Sequence, residues 1–127
     1  NLTLEHKRAD LIRSIFEGVA FEAQQILEAA ENSGTRVKNI TMVGGGSKSN
    51  VWRQIVADVA NRPVRSPEQS ETAALGAAIL AGLGTRVYES IAEVPRAGSE
   101  FESIPNPETH ETYKTLYQRY KAFYDLS

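Results

Sequence analysis

The feature that most limits what this chain can fold into is a run of three glycines, Gly44, Gly45 and Gly46, set between two apolar segments of different rhythm. Residues 37–43 are rich in β-branched side chains, with Met42 among them, and read as a short buried strand. Residues 49–60 place Val51, Trp52, Ile55, Val56, Val59 and Ala60 at helical spacing, and Asn61, Arg62 and Pro63 close that helix. Ser47 is expected to cap it, and residues 63–65 are a candidate second strand. Strand, glycine turn, helix, strand is a βαβ crossover, which predicts a parallel pair and a right-handed connection.

Upstream, residues 3–32 carry Leu4, Leu11, Ile12, Ile15, Phe16, Val19, Ala23, Ile26 and Leu27 at three- and four-residue steps, the stripe of a long amphipathic helix. Thr3 is its expected cap, and Asn32, Ser33 and Gly34 its stop. Gly18 costs a mid-helix position roughly 1 kcal/mol against alanine, so close packing is expected there. Downstream, a third helix over 71–83 is built from small residues, which lets a backbone or flat ligand approach. Residues 84–107 read as irregular apart from a helical turn at 90–94, punctuated by Pro95, Pro105 and Pro107. A last helix over 107–123 aligns Tyr113, Leu116, Tyr117, Tyr120, Phe123 and Tyr124 into a face docked on the domain. No internal repeat is present.

Two short strands do not make an independent sheet, because both edges stay unpaired. The chain is therefore expected to be the last part of a larger α/β domain, and its start at Asn1 without methionine agrees. Exposed strand edges and an uncovered first helix predict self-association, with a homodimer as the simplest form.

Composition narrows the partners. With 127 residues, 41% hydrophobic and 24% charged, the chain has the make-up of an ordinary globular protein. A net charge of −2 offers no general attraction to nucleic acid or anionic membrane. The absence of cysteine excludes disulfides and thiolate metal sites and allows a reducing compartment; the expected location is the cytoplasm. His6 and His110 have no ligand-spaced partners, so no metal site is assigned.

The chemistry concentrates in the glycine turn. A strand leading through glycines into a helix start gathers free backbone N–H groups and a positive helix end, a setting that favours anions and phosphates above all. Ser47, Ser49 and Asn50 add short donors and acceptors suited to ribose or phosphate. The pattern is neither a Walker phosphate loop nor Gly-x-Gly-x-x-Gly. Read on their own, the glycines also fit a tight strand-to-helix turn that binds nothing. Lys48 is read as solvated, Trp52 as core, and Arg13 with Glu17 as a surface pair worth a few tenths of a kcal/mol.

The stretch Thr41-Met42-Val43-Gly44-Gly45-Gly46-Ser47-Lys48-Ser49-Asn50-Val51-Trp52-Arg53-Gln54-Ile55 resembles the adenosine-binding segment of the FGGY carbohydrate kinases, and within them the xylulokinase-like branch. Two further motifs agree in order and spacing: the helix around Arg8-Ala9-Asp10-Leu11 and Gly18-Val19-Ala20-Phe21, and Glu71-Thr72-Ala73-Ala74-Leu75-Gly76-Ala77-Ala78. The resemblance implies a ribonuclease-H-like, actin-like ATPase fold of two lobes, with residues 1–127 as the C-terminal nucleotide-binding part. It implies ATP and Mg²⁺ as cofactors and transfer of the γ-phosphoryl to a hydroxyl of a sugar such as xylulose or of a polyol. It places Gly44, Gly45 and Gly46 against the nucleotide, with Asn50 on adenine or ribose and Ser47 supporting the turn.

The family's Asp-Gly-Thr phosphate hairpin and its aspartate base belong to an N-terminal lobe that this sequence lacks. Asp10, Asp58 and Asp125 match non-catalytic positions, so no catalytic residue is assigned, and the chain alone is expected to be inactive. The alternative reading is a non-catalytic nucleotide- or partner-binding module of the same actin-like type.

Overall fold

A computed structural model describes residues 3–68, 71–95 and 100–124, the side chain of Tyr124 excepted. The elements are α1 (Arg8–Asn32), β1 (Ile40–Thr41), α2 (Asn50–Ala60), β2 (Val64–Pro67), α3 (Thr72–Gly84), β3 (Glu100–Ser103) and α4 (Pro107–Tyr124), with 3₁₀ turns at Gly45–Lys48 and Ile91–Glu93. The tyrosine stripe is thus described as far as Tyr120; the Tyr124 side chain and Asp125 lie outside the described residues.

Helix α1 starts five residues later than the expected range of 3–32. The Lys7 N–H donates to the Asp10 carboxylate at 2.8 Å, so Asp10 supplies the first-turn acceptor that Thr3 was expected to give. Thr3 instead pairs its N–H with Nδ1 of His6 at 3.1 Å, upstream of the helix. The stop is as expected: Gly34 sits at φ +92°, its N–H reaches the Glu31 carbonyl at 2.9 Å, and the Thr35 N–H reaches that of Ala30 at 3.0 Å. Those two bonds satisfy the last carbonyls of the helix. Gly18 meets no neighbour within 4 Å of a notional Cβ, so the close packing expected there is not made among the described residues.

The parallel pair is present but shorter at β1 than residues 37–43 suggest. Ile40 and Thr41 pair with Val64 and Arg65, and the N–H of Met42 still reaches the Arg65 carbonyl at 2.8 Å. Further upstream the Val37 carbonyl is taken by Nε of Arg62 at 3.0 Å, which withdraws that residue from the ladder. The region read as irregular also contains a third strand. β3 pairs antiparallel with β2, Val64 opposite Ser103 and Arg65 opposite Glu102, giving the sheet order β1-β2-β3. Across that pair Arg65 and Glu102 form an ion pair of 2.9 Å. β2 is therefore central, flanked on both sides at Val64 and Arg65, contrary to the two-stranded expectation.

α2 is the hub. It lies against β2 and β3 and touches both α1 and α4. Ile55, Val56, Ala57, Val59 and Val64 are buried with Ala20 and Phe21 of α1 and Tyr113 and Tyr117 of α4. Fully burying a side chain such as Ile55 contributes about 1.5–3 kcal/mol. The docking of α4 is aromatic: Phe21 lies 5.3–6.1 Å from the rings of Tyr113, Tyr117 and Tyr120. Each tyrosine hydroxyl donates to a glutamate of α1, Tyr113 to Glu17 at 2.8 Å, Tyr117 to Glu28 at 3.0 Å, and Tyr120 to Glu22. α3 differs from the other helices, because none of its residues is buried.

Candidate functional site

The glycine turn leaves the sheet at the carboxyl end of β1. Gly44 adopts φ +86°, a conformation that disfavours any side chain, and so turns the chain away from the strand. The capping expected of Ser47 falls instead to Ser49. A 3₁₀ turn, Gly45–Lys48, intervenes before α2, and it is the Ser49 hydroxyl that accepts the N–H of Trp52 at 3.3 Å. Ser47 is buried, and its hydroxyl donates to the Gly44 carbonyl at 2.7 Å, locking the turn on itself. Gly45 and Gly46 lead the 3₁₀ turn, so their N–H groups have no acceptor inside it.

Both glycines are exposed, and a Cβ on Gly45 would meet nothing within 4 Å. A Cβ on Gly46 would lie 3.6 Å from the Trp52 ring, which is ordinary contact. Packing among the described residues therefore leaves open ground above Gly45. Trp52 is half-buried and stacks against Phe16 with ring centroids 5.3 Å apart, as part of the core margin. Asn50 is the exposed first residue of α2 and accepts from Nη2 of Arg53 through its side-chain carbonyl. Lys48 is exposed beside it.

An open cleft of about 520 Å³ runs between the start of α2 and β3, lined by Asn50, Arg53, Gln54 and Phe101 among others. Of the turn residues it includes Asn50 but not the glycines. In parallel α/β sheets, ligands settle outside the carboxyl ends of the strands. The turn after β1 leaves the sheet at that edge, and β2 runs parallel to β1.

The two described aspartates have other duties. Asp10 caps α1, and Asp58 is buried, accepting from the Asn106 N–H and from Nε2 of Gln54, each at 2.8 Å. Asn106 in turn accepts the N–H groups of Glu108 and Thr109 and so starts α4. The Arg13–Glu17 pair is present at 2.8 Å and is joined by Tyr113, whose hydroxyl accepts from Arg13 at 2.7 Å. Burial, then the bond to Glu17, raises the Tyr113 hydroxyl from 10.0 to about 12, and burial also raises Tyr117. The bond to Glu17, then that to Tyr113, raises Arg13. Among the described residues no three acidic or histidine side chains converge on a metal site, and no helix is long and apolar enough to cross a membrane.

The residue that sequence reasoning passed over is Arg53, quoted only within the longer motif. A signal for it existed: position 53 falls in line with Val56, Ala57 and Ala60, so a charge sits on a stripe that turns inward.

Residues 1–85 match the FGGY family of carbohydrate kinases, C-terminal domain. A xylulose kinase of Bacillus subtilis (strain 168) is 33% identical over 94% of this chain and 24% of its own length. An autoinducer-2 kinase of Escherichia coli (strain K12) is 36% identical over 92% of the chain and 23% of its own. Among solved structures, the xylulose kinase from Rhodospirillum rubrum superposes with a TM-score of 0.79 at 31% identity, covering 98% of this chain and 25% of that one. The chain thus spans about a quarter of the length of these relatives. The mixed α/β architecture agrees with that likeness.

Proposed function

The chain belongs to the FGGY family of carbohydrate kinases, and from that membership we propose that its glycine turn holds an adenine nucleotide. Residues 1–127 act as the C-terminal nucleotide-binding part of a longer kinase, whose N-terminal lobe supplies the phosphate hairpin and catalytic base. The observation that carries this reading is the exposed Gly45–Gly46 backbone at the carboxyl edge of the parallel pair, where a Cβ on Gly45 would meet only open space. The backbone N–H groups of the turn and the start of α2 favour the phosphate end of the ligand, and Asn50 faces the adenosine.

In the longer kinase ATP would supply the transferred phosphoryl group, and Mg²⁺ would neutralise its charge. The acceptor is a hydroxyl of a sugar or polyol. The relatives include both xylulose kinases and autoinducer-2 kinases, so acceptor choice lies with the rest of the enzyme.

An ATP titration of the ¹⁵N-labelled chain tests the site. The amides of Gly45, Gly46 and Asn50 and those of Ala74 to Ala78 should shift together. With half the cleft absent, the dissociation constant should be about 1 mM, equivalent to about 4 kcal/mol. Shifts confined to surface lysines and arginines would refute a specific site.

A further inference from the structure

Arg53 is only 3% exposed, yet no carboxylate among the described residues pairs with it. Glu102, which lines the same cleft, is engaged by Arg65. A buried guanidinium is costly unless its donors find acceptors. Here Nη1 donates to the Ser47 carbonyl and Nη2 to the Asn50 side-chain carbonyl, while Nε has no partner. The Phe101 ring of β3 lies over the guanidinium, its centroid 4.9 Å from the central carbon.

We propose that Arg53 is the positioning residue of the glycine-turn site, a clamp that sets Ser47 and Asn50 in one geometry before nucleotide arrives. The planar fork spans two acceptors at fixed separation, which a lysine ammonium on a flexible stem does not reproduce. One acceptor ends the buried part of the turn and the other is the side chain assigned to adenosine, so a single group couples the two halves of the site. Phe101 keeps water from the guanidinium and strengthens both bonds. The sheet's last strand thereby acts on a turn more than fifty residues earlier in the chain. The inference rests on the nucleotide reading for its purpose but not for its geometry.

The test compares Arg53→Met, Arg53→Lys and Phe101→Leu in the ¹⁵N-labelled 127-residue chain, with Asp58→Asn as a control that loosens α2 at its contact with Asn106. Arg53→Met should move the Gly45, Gly46 and Asn50 resonances before any nucleotide is added and weaken ATP binding roughly tenfold, the loss expected for hydrogen bonds from a charged donor. Arg53→Lys should recover part of the affinity. Asp58→Asn should lower Tm while leaving those three resonances and the ATP affinity in place. The proposal is overturned if Arg53→Met lowers Tm alone, or if the control weakens ATP equally. Should Arg53→Met fail to fold, Phe101→Leu decides: shifted turn resonances support the clamp, and unmoved ones refute it. A wild-type chain that ignores ATP would remove the nucleotide reading, and the turn resonances of the variants would still judge the clamp.

Discussion

Helices α2 and α3 each follow a strand of the parallel pair, and they end in opposite situations. α2 carries an arginine, an aspartate and a glutamine, yet seven of its eleven residues are buried. α3 has no charged residue across Thr72–Gly84 and buries none of its thirteen. Apolar content therefore does not predict burial within this chain; position relative to the sheet does. α2 has one face on β2 and β3 and its flanks against α1 and α4, so even its polar groups find partners inside. α3 lacks such walls, and Leu80 stands 71% exposed. A helix apolar on every side is normally a buried one, and α3 stands apart among the described helices in being apolar and uncovered.

The sharpest way to break this contrast is to truncate one apolar side chain in each helix. Ile55→Ala should cost about 2–5 kcal/mol, the range for emptying a packed core site, whereas Leu80→Ala should stay within about 0.5 kcal/mol. Urea unfolding followed by circular dichroism measures both, and similar losses would mean that α3 is packed after all.

A smaller effect belongs to the aromatic wall that shelters α2. Tyr113 is held neutral by burial, with a folded value of about 12 against 10.0 for the free side chain. Between those values the unfolded chain gives up a proton that the folded chain keeps. The contribution is thus complete below pH 10 and disappears as pH rises through about 12. Stability measured across that window should fall, and Tyr113→Phe should make the fall shallower; an unchanged slope would place the titration elsewhere.

The smallest expected change lies in α3. Gly76 has no neighbour within 4 Å of a notional Cβ, so Gly76→Ala should stabilise the chain by up to about 1 kcal/mol through helix propensity alone. Gly82 is the counter-case, since a Cβ there would lie 2.8 Å from the Tyr88 ring. A loss of stability in Gly76→Ala would reveal a contact that the small residues serve within the chain itself.

What the sequence made legible follows the same division. Long helical stripes identified α1, α2 and α4, and the glycines located the turn, because those signals repeat over many residues. β3 escaped because its alternation of Glu100, Phe101, Glu102 and Ser103 is short and acidic. Its supports, Arg65 and Arg53, lie far away in sequence. The capping serine was misplaced by two residues because an intervening 3₁₀ turn leaves no periodic trace. The bonds from Arg53 to Ser47 and Asn50 were not legible, since they form only through the fold of the turn and its helix.

The Asp58 carboxylate also sets a timetable. One of its acceptor bonds is filled by the N–H of Asn106, forty-eight residues later, and its backbone carbonyl is paired with Nδ1 of His110. A ribosome adds roughly 5–20 residues per second, so for some seconds α2 exists without the strand and helix that close over it. Without those later residues the carboxylate keeps only its bond from Gln54 within α2, and the sheet only its parallel pairing. Closure over α2 thus waits for α4, whose start supplies the Asn106 and His110 partners of Asp58.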